Sequence, residues 1–280
     1  MVDTQISKSQ FDYLRMLAKQ TIGHDFPDDK QYLFQSRLAP YLQAKGYSSI
    51  AELVRTLTVN DDAKEKMAVV TLLTTQESFF FRDITPFEAM RLQLLPEIIK
   101  KRQITRSLSI WSAACSTGQE PYSLAMMIRE HFPQVLGWNV YIFATDVKQE
   151  AIDKAEKGIY NPIEINRGLD AHYREKYCAE VEGGWLMKPE VANMINFYRC
   201  NLLDDIQTLP PLDFIFLRNV LIYFDMSSKI NVLLKIYNLL KPDGYLVMGS
   251  GEVILNLEDM YKKVPVTLED GKHTTVYQKV

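Results

Sequence analysis

The chain has 280 residues, 47% hydrophobic and 24% charged, with 32 Lys and Arg against 35 Asp and Glu. A chain this long buries about 75% of its unfolded surface and divides by length into about two domains, so its core needs no disulfide or metal. The net charge of −3 argues against blanket binding to nucleic acid or anionic membrane, and no apolar run exceeds five residues, which leaves nothing to span a bilayer. The start, MVDTQISKSQF, lacks the basic and apolar stretches of a secretory signal. Cys115, Cys178 and Cys200 form no CxxC or Cys/His cluster, so no metal is expected and the expected compartment is a reducing cytoplasm.

Residues 1–74 read as a small helical domain. Ser9 with Asp12 suggests a capping box opening a stripe of Phe11, Leu14, Leu17 and Ala18 that stops at Gly23. A second helix runs from about Lys30 to Gly46, a third opens at Ser49 with Glu52, and a fourth starts near Asp61. The linker 75–88 contains Phe79, Phe80 and Phe81 followed by Arg82; such a run at a junction predicts interdomain core, with a carboxylate for the arginine.

After residue 106, short apolar runs alternate with helical patterns: 108–115, 140–146, 195–201, 212–219 and 245–249 as strands, with helices opening at Pro121, Gln149 and Met226. This predicts α/β architecture, a doubly wound, mostly parallel Rossmann-like sheet over 89–280, closed by a strand near 274–279 that could run antiparallel. Residues about 160–198, with Pro162, Gly168, Gly183, Gly184 and Pro189, interrupt the alternation and read as an inserted β-subdomain with a hairpin at 185–188. Lys100, Lys101 and Arg102 at a helix end would complement its dipole.

The densest motif is SIWSAACSTGQEPYSLAM at 109–126, a strand, a turn of small residues including Ala114, and a helix with Pro121 in its first turn. Small residues here let a ligand approach the backbone at the carboxyl edge of the sheet, where wound α/β folds bind ligands. A dinucleotide site needs GxGxxG for its pyrophosphate, and this turn has one glycine, which favours a nucleoside ligand without phosphates such as S-adenosylmethionine. A tight turn around a buried Cys115 would look the same. Asp146 ends the second strand and could accept from both ribose hydroxyls, or simply cap the next helix. Asn201 ends the third strand and could flank an adenine, or be a turn residue. Arg218 and Asn219 put polar groups where the fourth strand leaves the sheet, followed by Tyr223. The Asn/Asp-Pro-Pro-aromatic segment of DNA adenine methyltransferases is absent there, which disfavours base methylation.

Taken together, LTTQESFFFRD, WSAACSTGQEPYSLA, ATD, the NLL after the third strand, FLRNVLIYFD and KPDGYLVMGSGE resemble the chemotaxis receptor methyltransferases, the CheR family. The resemblance implies a Rossmann-like S-adenosylmethionine-dependent enzyme that methylates glutamate carboxylates of chemoreceptors and releases S-adenosylhomocysteine. By position it implies Arg82 and Tyr223 as catalytic residues, and Ser78, Arg82, Ala114, Glu120, Asp146, Asn201, Leu202, Asn219 and Val220 as cofactor-binding ones. Asp146 would take the ribose, Asn201 and Leu202 the adenine, and Asn219, Val220 and Tyr223 the methionine and acceptor side. Gln119 stands where relatives often have Glu. The implied partners are cytoplasmic methylation helices of receptors. Those helices are acidic, and Lys30, Arg37 and Lys45 could meet them or merely face water. Some relatives dock a receptor C-terminal pentapeptide on the β-subdomain; the short hairpin here points to an enzyme independent of it. No nucleic acid, no membrane insertion and a monomer are expected. Two alternatives remain: a same-fold methyltransferase acting on another protein or a small carboxylic acid, and a non-catalytic receptor adaptor.

Overall fold

A computed structural model describes residues 2–206, 208–254, 256–269, 271 and 273–280. The chain forms two compact units. The first extends to Thr75 and takes in Ile222–Asn231, so this later segment does not belong with the rest of 89–280 as the sequence suggested. Its helices are α1 (Lys8–Ile22), α2 (Gln31–Lys45), α3 (Ile50–Asn60) and α4 (Ala63–Leu72). The capping box of α1 uses Ser7 and Gln10 rather than Ser9 and Asp12: the Ser7 hydroxyl accepts from the Gln10 N–H while the Gln10 side chain returns to the Ser7 N–H. Asp12 instead faces Lys8 and Arg15 across one turn. Phe11, Leu14, Phe34, Leu38, Leu42, Leu53 and Leu57 are buried, and Phe11 and Phe26 both meet Phe34 edge-on.

Two expectations about this unit change. Arg37 is not a free receptor-facing cation. Its guanidinium donates to the Leu73 carbonyl and to Thr75 Oγ1, and burial lowers its pKa. The segment from Ile222 is anchored by the chain after α1. The Asp25 N–H donates to the Tyr223 carbonyl at 2.8 Å, Lys19 pairs with Asp225, and the Tyr223 ring lies 4.7 Å from that of His24. Burial lowers the pKa of His24 to about 4, so its ring is neutral at pH 7.

The second unit holds the remaining elements, the Phe-rich linker among them. A helix begins as α5 (Thr85–Ala89), passes through a π turn at Met90–Leu94 and continues as α6 (Leu95–Lys101). Then come β1 (Ser107–Ala113), α7 (Gln119–His131), β2 (Asn139–Asp146), α8 (Gln149–Lys157), β3 (Ile159–Tyr160), α9 (Pro162–Asn166), α10 (Ala171–Tyr177), β4 (Cys178–Val181), β5 (Gly184–Met187), α11 (Pro189–Ala192), β6 (Ile195–Arg199), β7 (Leu212–Leu217), α12 (Met226–Leu239, whose first turns lie in the other unit), β8 (Leu240–Met248), β9 (Tyr261–Thr267) and β10 (His273–Lys279). Seven strands form one sheet in the order β6-β2-β1-β7-β8-β10-β9. The first five run parallel, and β10 pairs antiparallel with both β8 and β9. The sequence pattern misses β9 because Pro265 and two lysines interrupt it; an edge strand tolerates a proline whose missing N–H faces away from the ladder.

The inserted region is shorter than the expected 160–198, because Ile195 onward is already β6 of the main sheet, pairing with β2 from Ile142↔Ile195. What remains is a three-stranded antiparallel sheet, β3-β5-β4, with its helices. It is tied to α7 through Glu130, which accepts from Lys176, Tyr177 and His172; with the Lys176 ammonium the largest influence, its carboxyl pKa falls to about 2. The phenylalanines also pack within this unit: Phe80 meets Tyr160 edge-on at 5.1 Å, and Phe81 meets Phe87 and Tyr173. Gly168 lets the linker backbone come this close. At φ +88°, a Cβ on it would lie 2.0 Å from the Phe80 carbonyl oxygen.

β7 is buried along its whole length, as a central parallel strand should be, yet it contains Asp213. The Asp213 carboxylate accepts from Arg102 Nε at 2.8 Å, from Lys241 Nζ at 2.7 Å and from the Ser109 N–H at 2.9 Å. Arg102 also pairs with Asp243. It therefore closes a buried ion cluster at the amino ends of β1 and β7 instead of capping a dipole. Removing one partner of such a cluster costs about 3–5 kcal/mol. Arg102→Met is expected to lower unfolding stability by about 3 kcal/mol, measured by urea denaturation.

Candidate active site

Between β1 and α7 the backbone takes left-handed φ at Ala114 (57°), Ser116 (52°) and Gly118 (94°). Small side chains make that course tolerable, and its effect is to turn backbone groups toward the end of β2. The Ser116 N–H donates to Asp146 Oδ2 at 2.9 Å and the Cys115 N–H to the Thr145 carbonyl at 2.8 Å. Asp146 Oδ1 accepts from the Lys148 N–H at 3.0 Å, and the Asp146 carbonyl accepts from the Cys200 N–H at 2.9 Å. Asp146 is therefore a hub: its carboxylate ties the β1 turn to Lys148 ahead of α8, and its backbone carbonyl holds the chain just after β6. Burial raises its pKa, while the amide donors hold it down. Each of its oxygens keeps acceptor capacity, since a carboxylate offers about four lone-pair sites and these bonds use two.

Beyond β6, Asn201 accepts from the Leu203 N–H, and Lys235 of α12 donates to the carbonyls of Leu203 and Asp204, fixing the turn that contains Leu202. A cavity of about 470 Å³ opens beside Asn201, lined in part by Thr145, Cys200, Ile206 and Leu209.

A narrower cleft of about 30 Å³ gathers Glu77, Ser78, Phe79, Arg82, Ala114, Cys115, Ser116, Glu120, Arg218 and Asn219. Arg82 donates to the Glu77 carbonyl at 2.7 Å and lies over the Phe79 ring. Arg167 binds the Glu77 carboxylate and, with Arg82, lowers its pKa. Glu120 accepts from the Ser112 hydroxyl at 2.7 Å and from Arg218 Nη1 at 2.9 Å. The other end of Arg218 donates to the Arg82 carbonyl and to Asp83. Asn219 follows at φ 58°.

Ser78, Arg82, Ala114, Glu120 and Asn219 thus line one cleft, and Asp146 adjoins it through Ser116. Asn201 and Leu202 lie along the same carboxyl edge, and Val220 follows Asn219 directly. Tyr223 belongs to the first unit, half-buried against His24. Three contributors carry no assignment from the sequence: Ser116, Arg218 and Glu252. Arg218 had a signal, a charge inside an apolar strand pattern. Glu252 closes the KPDGYLVMGSGE motif, but nothing local gives it a role, because two of the three backbone groups it binds are 32 and 33 residues away. Cys115 is buried and its thiol is pushed well up, so it is a packing residue rather than a nucleophile. Among the described residues, no group of His, Cys, Asp and Glu could hold a metal ion.

The family model described as "CheR methyltransferase, SAM binding domain" matches residues 76–269, and "CheR methyltransferase, all-alpha domain" matches residues 9–74. The chain belongs to the CheR methyltransferase family. It is 39% identical to chemotaxis protein methyltransferase 1 of Pseudomonas aeruginosa, covering 92% of this chain and 95% of that protein. It is 36% identical to chemotaxis protein methyltransferase Cher2 of Pseudomonas putida, covering 91% and 94%. To chemotaxis protein methyltransferase of Escherichia coli it is 34% identical, covering 90% and 87%.

As a CheR methyltransferase, the enzyme uses S-adenosylmethionine, and the residues present fit it. Ser116 Oγ is buried at the cleft with no partner among the described residues, a hydroxyl left for a ligand group. The Asp146 lone pairs suit a diol, and the left-handed turn brings backbone rather than bulky side chains to the edge. In this CheR protein, Arg218 holds Glu120 and the linker together with a planar fork that a lysine lacks. Arg218→Lys should weaken S-adenosylhomocysteine binding by about tenfold or more in calorimetric titration while the protein stays folded.

Proposed function

We propose that this enzyme transfers a methyl group from S-adenosylmethionine to glutamate side chains in the methylation helices of bacterial chemoreceptors, giving methyl esters during chemotaxis adaptation. It would work in the cytoplasm, where those helices lie, as a monomer. In keeping with a protein that visits receptors without entering the bilayer, no helix among the described residues is long and apolar enough to cross a membrane.

The observation that carries the reading is the cleft beside Arg82. Both carboxylates lining it, Glu77 and Glu120, are engaged by arginines, so neither is placed to serve as a general base. A glutamate acceptor needs none: its carboxyl, with an unperturbed pKa of about 4.3, is already an anion at pH 7. S-adenosylmethionine supplies a methyl group made electrophilic by a positive sulfonium. Charge is lost as carboxylate and sulfonium become ester and thioether, so the useful contributions are exclusion of water and alignment.

Arg82 suits alignment. Its Nη1 donates to the Glu77 carbonyl, its Nη2 lies 3.8 Å from the Glu77 carboxylate and its plane rests near Phe79, which holds the guanidinium in a restricted orientation with N–H groups beyond the one bonded at Nη1. Tyr223 stays in the proposal as a second orienting group on the strength of the family resemblance. On the cofactor side, Asp146 would take the ribose hydroxyls, and Asn201 and Leu202 the adenine, beside a slot with Ile206 and Leu209 among its apolar walls. Ser78, Ala114, Glu120, Asn219 and Val220 would surround the methionine moiety.

Incubation with radiolabelled S-adenosylmethionine and chemoreceptor membranes should give label that base releases as methanol; a base-stable label, or none, defeats the assignment. Arg82→Ala should lose on the order of 100-fold in transfer with little change in S-adenosylhomocysteine affinity. The β4–β5 hairpin has strands of four residues each, turning at Glu182 and Gly183. This short hairpin supports independence from the receptor pentapeptide, and titration with that peptide should show no micromolar binding.

A further inference from the structure

After β8 the chain turns at Gly249 and brings Glu252 back beneath the end of β7. The Glu252 carboxylate accepts three backbone N–H groups: Asn219 at 2.7 Å and Gly249 at 2.9 Å on Oε2, and Val220 at 3.1 Å on Oε1. Glu252 is 9% exposed, and its own N–H donates to the Gly249 carbonyl, so the acceptor is held as well as the donors. Asn219 adopts φ 58°, a left-handed conformation that few non-glycine residues adopt and that Asn tolerates better than most. Gly249 leaves room for the arrangement, since a Cβ there would lie 2.8–3.0 Å from Glu252 Oε2, Asn219 Nδ2 and the Asn219 nitrogen.

We propose that Glu252 is a positioning residue for the cofactor: by collecting these three amide protons, its carboxylate holds the Asn219–Val220 turn in the left-handed form in which it meets the methionine moiety of S-adenosylmethionine. The inference rests on the assignment of Asn219 and Val220 to the cofactor. Only a carboxylate serves all three donors. An amide in the same place has one acceptor oxygen, and its NH2 would face an N–H, so glutamine keeps the shape and loses part of the hold. These three donors are backbone groups, so the effect of residue 252 on the turn is passed through the main chain.

The test uses the full-length enzyme with S-adenosylhomocysteine as the calorimetric ligand and receptor membranes as the methyl acceptor. Glu252→Gln should raise the S-adenosylhomocysteine Kd and the S-adenosylmethionine KM by about tenfold, with kcat and the receptor KM changed much less. Gly249→Ala, which crowds the same turn from the other side, should have the same signature. In a cycle with Asn219→Ala, the Glu252→Gln effect on Kd should largely vanish, because both changes act through one turn. Full additivity, unchanged affinity in Glu252→Gln, or unfolding of both Glu252→Gln and Gly249→Ala overturns the proposal. If Asn219→Ala and Val220→Gly each leave S-adenosylhomocysteine binding unchanged, what fails instead is the placement of the cofactor at this turn, and the proposal falls with it.

Discussion

The buried guanidinium of Arg218 is the interaction on which the site depends. Its side chain is 2% exposed, and its fork reaches Glu120 at the start of α7 and the Arg82 carbonyl and Asp83 in the linker. A buried cation of this kind is tolerable only with charged and hydrogen-bonded partners on several sides, and here those partners are parts of the cleft. The linker therefore becomes a wall of the second unit's own site. The Phe80 and Phe81 packing and the close approach at Gly168 complete the same attachment with apolar surface.

The rest of the carboxyl edge follows a similar logic, in which a few buried acids organise backbone amides. Asp146 takes the N–H groups of Ser116 and Lys148, and Glu252 those of Asn219, Val220 and Gly249. Amide groups fixed in this way need not reorganise when a ligand arrives, which is the basis of electrostatic preorganisation. At the opposite edge, Asp213, Arg102, Lys241 and Asp243 form an ion cluster whose role is to hold β1, β7 and β8 together. The sheet thus carries buried acids at both ends, Asp146 and Glu252 beside the candidate cleft at one and Asp213 for registry at the other.

Methyl transfer to a carboxylate asks for orientation and dryness instead of proton transfer, and the chain's composition of the cleft agrees. Among the described residues that line it there is no histidine. The cleft offers arginines, small residues and backbone.

Much of this was legible in the sequence. The alternation of apolar runs and helical patterns determined a wound α/β sheet, because strand and helix periods are local properties of neighbouring residues. The motif order placed Asp146, Asn201 and Asn219 at or just past strand ends, Glu120 in the first turn of the helix after β1 and Arg82 in the linker, and strand ends in a parallel sheet share one edge. What only the tertiary structure decided were the long-range pairings. Arg102 reads as a helix-end charge until Asp213, 111 residues away, meets it. Arg37 reads as a surface cation until the Leu73 carbonyl closes on it. Residues 222–231 read as part of the sheet domain until their contacts with the chain after α1 assign them to the helical unit. In each case the deciding partner is distant in sequence, and the energy of a buried charge or an unpaired carbonyl is fixed by what surrounds it in space, which no local pattern encodes.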